Sequence, residues 1–114
     1  MDLPSYPIIV SEDGMQFEFT SVGKKGTILK RAFFALIGND QLYNMAFGDV
    51  LKETNQIDDM VISDNGDKDM VLITLIKIIQ IFTRENPSVG VFISVNTGSR
   101  NRLYRIDRKS TRLN

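Results

Sequence analysis

Hydrophobic and polar residues alternate through the first half of the chain. Met15, Phe17 and Phe19 are separated by Gln16, Glu18 and Thr20, the period of two that sets one face of a strand on a core. Gly23-Lys24-Lys25-Gly26 is turn chemistry, so Thr27 to Ile37 is the expected hairpin partner. Its apolar face is read as Leu29, Phe33, Ala35 and Ile37, with Lys30 and Arg31 interrupting the pattern. Upstream, Pro4 to Val10 is an extended lead-in ended by the turn residues Ser11-Glu12-Asp13-Gly14. After Gly38-Asn39-Asp40, Tyr43, Met45 and Phe47 alternate with Asn44, Ala46 and Gly48 as a third strand, its small residues lying under a packed neighbour. Lys52 to Gln56 is polar loop, and Ile57 to Ser63 a short fourth strand.

The period then changes. Asp64-Asn65-Gly66-Asp67 forms a turn with Asp67 placed to cap a helix, and no breaker follows from Lys68 to Glu85. Asn86-Pro87 ends the helix because proline lacks the N–H that continues the ladder. Val89 to Val95 is a continuous apolar run, as in a strand covered on both faces. Strand four, the helix and this strand make a candidate βαβ unit. Beyond it, Thr97 or Ser99 is an N-cap candidate for a second helix, with Leu103 and Ile106 starting its apolar stripe. The order β-β-β-β-α-β-α predicts an α+β fold: a mostly antiparallel, mixed five-stranded sheet, a central apolar helix and a truncated C-terminal helix.

The central helix is unusually apolar. From Met70 to Phe82 only Thr74, Lys77 and Gln80, continued by Arg84, mark a narrow polar stripe. A membrane span needs about twenty apolar residues, and Lys77 and Gln80 interrupt this run. The pattern instead predicts a helix covered on more than one side: by the sheet, and by a second helix (the continuation of the truncated C-terminal one), a homodimer partner docking on residues 70–82, or both.

At 114 residues, with 42% hydrophobic and 25% charged positions, the chain fits one folded domain. It has no cysteine and no histidine, which excludes disulfides, thiol nucleophiles, imidazole bases and the usual zinc sites. The absence of cysteine and of a basic, apolar leader points to a cytoplasmic setting. The formal charge is zero, yet Arg100, Arg102, Arg105, Arg108, Lys109 and Arg112 crowd the C-terminal end. Residues 107–114 resemble the translation of a common sequencing adapter. On that reading residues 1–106 are the single α+β domain and 107–114 a non-native tail. Setting aside Asp107, Arg108, Lys109 and Arg112 leaves the domain mildly acidic, which counts against general nucleic-acid binding through the C-terminal arginines.

Two constellations carry candidate chemistry. Asp58, Asp59, Asp64 and Asp67, with Asp69 nearby, are dense enough to hold Mg²⁺. The calcium-loop template fails, because Gly66 comes third from Asp64 and Leu75 stands where glutamate is required. The structural reading makes Asp64 and Asp67 turn and cap residues and sets Asp69 on the helix dipole. The second constellation, Thr97-Gly98-Ser99-Arg100-Asn101-Arg102, follows a buried strand at an expected helix start. There Thr97, Ser99, Arg100 and Arg102 are candidates to hold an anion. The sequence matches neither glycine-rich nucleotide fingerprint, and ordinary capping accounts for the same residues. If strands four and five are adjacent and parallel, the two loops meet at one sheet edge.

Leu42 to Asp49, Ile57 to Asp67 and Thr97 to Tyr104 resemble the characteristic segments of a family of small uncharacterised bacterial proteins, typical of the Bacteroidota and known as a domain of unknown function. The likeness spans most of residues 5–106. It implies a single α+β unit, a cytoplasmic setting and a helix following Arg102-Leu103-Tyr104, and it supplies no activity.

Three functions follow as expectations. The first is a non-enzymatic interaction module for an anionic ligand or a protein partner. The second is a metal-dependent phosphoryl or nucleotide hydrolase, with Asp58, Asp59 or Asp64 on Mg²⁺ and Arg100 or Arg102 on phosphate. The third is nucleic-acid binding through the arginines.

Overall fold

The computed structural model of the chain describes residues 3–38, 41–58, 64–96 and 101–107. Its sheet is built on a hairpin of β2 (Gln16–Gly23) and β3 (Gly26–Leu36), whose two-residue connection is Lys24-Lys25. β4 (Leu42–Val50) continues the antiparallel meander, and β1 (Ile9–Val10) adds a short edge beside β2. α1 (Lys68–Glu85) then crosses to β6 (Gly90–Asn96), which pairs with β4 in parallel, and β7 (Asn101–Asp107) turns back along β6. The strand order is β1-β2-β3-β4-β6-β7, with β5 (Ile57–Asp58) also paired to β4. The result is an α+β fold dominated by an antiparallel sheet with one helix among the described residues.

The core lies where α1 meets the sheet. Phe17, Phe19, Ala32, Phe34, Met45 and Val91 face Ile78, Ile79 and Phe82. Phe34 stacks on Phe82 with centroids 3.9 Å apart, and Tyr43 meets Phe82 edge-on. Burying such a ring contributes on the order of 2–3 kcal/mol, so Phe82 anchors the helix. α1 ends where expected: the Asn86 N–H and its side-chain amide both donate to the Phe82 carbonyl ahead of Pro87.

Four sequence expectations change. The C-terminal helix is a strand: Asn101–Asp107 pairs at all seven positions with β6. Pairing satisfies a row of β6 backbone groups that would otherwise form an open edge. That gain outweighs the local helical signal of Thr97 and Ser99. Asp107, the first residue of the stretch read as foreign, closes β7; the rest of that stretch lies outside the described residues.

The parallel partner of β6 is β4, not the Ile57 strand. β5 runs antiparallel to β4 and shares an edge of β4 with β6, so β5 and β6 point towards each other. Residues 59–63 of the expected fourth strand lie outside the described residues.

The inward face of β3 is Lys30, Ala32 and Phe34, not Leu29, Phe33, Ala35 and Ile37. Both faces of this strand carry apolar residues, and the register with Phe17 and Phe19 decides between them. Gly48 is small for the expected reason: an added Cβ would lie 2.5 Å from the Asp58 carbonyl oxygen of the neighbouring strand β5.

Thr74, read as part of the polar stripe of α1, is fully buried. Its hydroxyl donates to the Met70 carbonyl at 2.7 Å and accepts the Tyr6 N–H at 2.9 Å, which removes the cost of burying it.

Candidate functional site

The polar chemistry of the fold gathers beneath the N-terminus of α1. Ser21 follows Phe17 and Phe19 on the inward face of β2, and Lys30 lies opposite Phe19 on β3. Asp49 pairs with Lys30 across the β3–β4 ladder. The alternation that builds the core thus continues into three polar positions at one end of the same face.

Asp67 occupies the N-cap position of α1 but its side chain caps no helix N–H. Instead its Oδ2 accepts the Ser21 hydroxyl at 2.5 Å and the Tyr6 hydroxyl at 2.5 Å. Burial pushes the Asp67 carboxyl up, but the two hydroxyl donors, its own backbone N–H and the nearby Lys30 charge outweigh it and hold the group below the usual carboxylate range. Burial, reinforced by the bond to Asp67, pushes the Tyr6 hydroxyl up. The same hydroxyl accepts the Val22 N–H at 3.1 Å, so Tyr6 also closes part of the β2 edge.

Lys30 is 1% exposed and its Nζ lies 2.6 Å from Asp49 Oδ1. The Phe47 ring, with its centroid 6.0 Å from the ammonium, adds a cation–π contact.

Asn65 completes the cluster. Its side-chain amide donates to Ser21 Oγ and to the Gly26 carbonyl, while its Oδ1 accepts the Lys25 N–H. Its backbone carbonyl accepts the Lys24 N–H. One buried asparagine therefore clamps the β2–β3 turn to the start of α1. The close approach demands glycine at 23, where a Cβ would lie 1.9 Å from the Asn65 carbonyl oxygen.

The acidic constellation divides on inspection. Asp58 lies in β5 opposite Asp49. Asp64 is exposed and accepts the Gly66 N–H at 3.0 Å; that bond, helped by Lys24, holds its carboxyl below the usual range. Asp67 is committed to Tyr6 and Ser21. Asp59 lies outside the described residues. Among the described residues no three acidic side chains gather as a metal-ligand set.

Of the anion candidates, Thr97, Ser99 and Arg100 lie outside the described residues, while Arg102 falls in β7 opposite Val95. From Asn101 on, the stretch expected to be helix is strand. The sequence reading missed Tyr6, Ser21, Lys30 and Asn65. Lys30, inside an otherwise apolar run, was the available signal.

On the opposite sheet face Arg31 joins Glu18 and reaches the Asn55 carbonyl and side chain at 2.8 and 2.9 Å. These bonds hold Asn55 at a φ of 58°. Beside this loop a shallow groove of about 340 Å³ is lined by Thr27, Ile28, Leu29, Val50, Leu51, Lys52 and Asn55.

Exposed apolar side chains occur on the sheet, where Ile9 is 70% exposed, and also on α1. Its inner side is buried, yet Leu72 and Ile76, one turn apart, are 55% and 47% exposed. Asp69, Gln80 and Arg84 are exposed on the same outer stripe. Among the described residues no helix is long and apolar enough to cross a membrane.

Comparison with curated proteins and with solved structures finds no match to the chain. A family model does match: residues 2–111 fit DUF6934, a family of unknown function, and the chain belongs to that family.

Proposed function

We propose that this member of DUF6934 is a protein-interaction module that binds through the outer face of α1. The observation that carries the reading is the exposed pair Leu72 and Ile76 on a helix whose other side forms the core. Burying each fully would contribute about 1.5–3 kcal/mol, and exposed apolar residues rimmed by charge mark contact surfaces. The buried polar cluster favours the same reading. Ser21, Asn65 and Asp67 are bonded to one another and to the backbone, as expected of a structural lock rather than a site awaiting substrate. A cytoplasmic setting is part of the proposal, supported by the lack of cysteine.

The test is the double variant Leu72→Glu/Ile76→Glu of the full chain at high dilution. A free contact face predicts an unfolding midpoint close to that of the parent and weaker binding of a hydrophobic dye. A large fall in midpoint would mean that the chain itself covers this face, and the reading would fail.

A further inference from the structure

The outer stripe of α1 has an internal charge order. At about 100° per residue, Asp69, Leu72, Ile76, Gln80 and Arg84 fall along one side of the helix, and all five are exposed. On this stripe the acid Asp69 stands in the first turn, beside exposed Lys68, and the base Arg84 in the last, beside exposed Glu85, with the two exposed apolar residues between them.

Such a stripe is complementary to its own reverse. Turning a second copy end for end about a point between Ile76 and Lys77 exchanges Asp69 with Arg84 and Ile73 with Gln80, and it also sets Lys68 against Glu85. It also brings the two Ile76 side chains together near the centre. A parallel arrangement would instead set Asp69 against Asp69 and Arg84 against Arg84. Antiparallel packing therefore replaces two like-charge contacts by two opposite-charge contacts, and it opposes the helix dipoles as well. The same patch serves both copies, as two-fold symmetry requires.

On the premise that the outer face of α1 is a contact surface, we propose that its partner is a second copy of this chain. The two α1 helices lie antiparallel, with Asp69 of each copy against Arg84 of the partner subunit. An 18-residue helix is about 27 Å long, and one helix pair buries an area at the low end for specific complexes. The dimer is accordingly a reversible one, dissociating on dilution.

The experiment uses two full-length charge-reversed variants, Asp69→Arg and Arg84→Asp, followed by sedimentation across a concentration series. Each variant alone carries two like-charge contacts and should dimerise roughly tenfold or more weakly, a change worth about 1.4 kcal/mol. Mixed in equal amounts, the two should associate at the parental level, because both contacts in the mixed dimer are again between opposite charges. Asp69→Asn and Arg84→Gln, which remove charge with less disturbance to the helix ends, should weaken association less, and their mixture should recover only in part, because the mixed dimer regains one of the two opposite-charge contacts.

A parent chain that stays monomeric throughout the series overturns the proposal. Association that Leu72→Glu/Ile76→Glu abolishes, but that the charge-reversed mixture fails to restore, overturns the antiparallel pairing and leaves the contact face standing. Association that survives Leu72→Glu/Ile76→Glu overturns the pairing, since the copies then meet elsewhere.

Discussion

Tyr6 and Asp67 stand 61 residues apart in the chain, and a single 2.5 Å hydrogen bond joins their side chains. The bond ties the N-terminal lead-in to the first turn of α1. Through the Ser21 hydroxyl on the same carboxylate oxygen, it also ties both to β2.

Removing the Tyr6 hydroxyl tests that junction. Tyr6→Phe keeps the ring stacked on Phe19, with centroids 5.8 Å apart, but leaves Asp67 with one hydroxyl donor fewer and the Val22 N–H without its acceptor. Hydrogen bonds to charged groups contribute about 1.5–3 kcal/mol. Since Ser21 remains, a loss near the lower end is expected in urea-unfolding free energy. A change within the ~0.5 kcal/mol typical of surface substitutions would show the junction to be dispensable.

The Asp67 carboxyl also sets an acid limb. Its native value lies below the 3.8 of the free group, so the folded state binds the proton less readily than the unfolded state. The stabilisation is therefore complete above the unfolded value and is lost as pH falls through the depressed native one. Asp67→Asn should be less stable than the parent at neutral pH, and the gap should narrow below pH 3.8. Asp13 and Asp64, also held low, leave a residual slope in the variant. A parallel pair of stability–pH curves would remove Asp67 from this role.

Much of the fold was legible because local chemistry and tertiary packing agree. Phe17 and Phe19 alternate towards the core as their period demands, and α1 spans Lys68–Glu85 between a turn and a proline. Legibility fails where a residue's role is set by a distant partner. Lys30 reads as a break in an apolar face until Asp49, 19 residues on, supplies its counter-charge. Thr74 reads as surface until the Tyr6 N–H reaches it from 68 residues away. Asn101–Asp107 follows the cap candidates Thr97 and Ser99 and carries a helical spacing at Leu103 and Ile106, and only the β6 edge turns it into strand. The candidate site was less legible than the fold for the same reason: Tyr6, Ser21 and Asn65 are single polar residues that form no motif in sequence.

The Lys30–Asp49 pair should behave as a buried ion pair. Breaking one by removal of a single partner typically costs about 3–5 kcal/mol, because the other charge is left in a low-dielectric setting. Lys30→Met and Asp49→Leu should each destabilise strongly, and the double substitution by clearly less than their sum. Urea unfolding of all four chains gives the coupling, expected at roughly 1–3 kcal/mol. Additive effects would mean that the two charges act through other neighbours.

The Asn65 clamp separates two kinds of contact that single-residue stability values would merge. The Lys24 N–H is held by the Asn65 backbone carbonyl, the Lys25 N–H by its side-chain oxygen. Asn65→Ala removes only the second, so the Lys25 amide should lose hydrogen-exchange protection while Lys24 keeps it. Gly23→Ala acts on the first, since its Cβ would stand 1.9 Å from that carbonyl and the 64–66 turn must move away. Both amides should then exchange faster, with a larger loss of stability than the ~1–3 kcal/mol expected from unsatisfied groups in Asn65→Ala. Because the displaced turn no longer holds Lys25 in the glycine variant, adding Asn65→Ala to it should cost little more. Lys24 protection that survives Gly23→Ala would show that the close approach of Gly23 and Asn65 is not needed to hold the hairpin against α1.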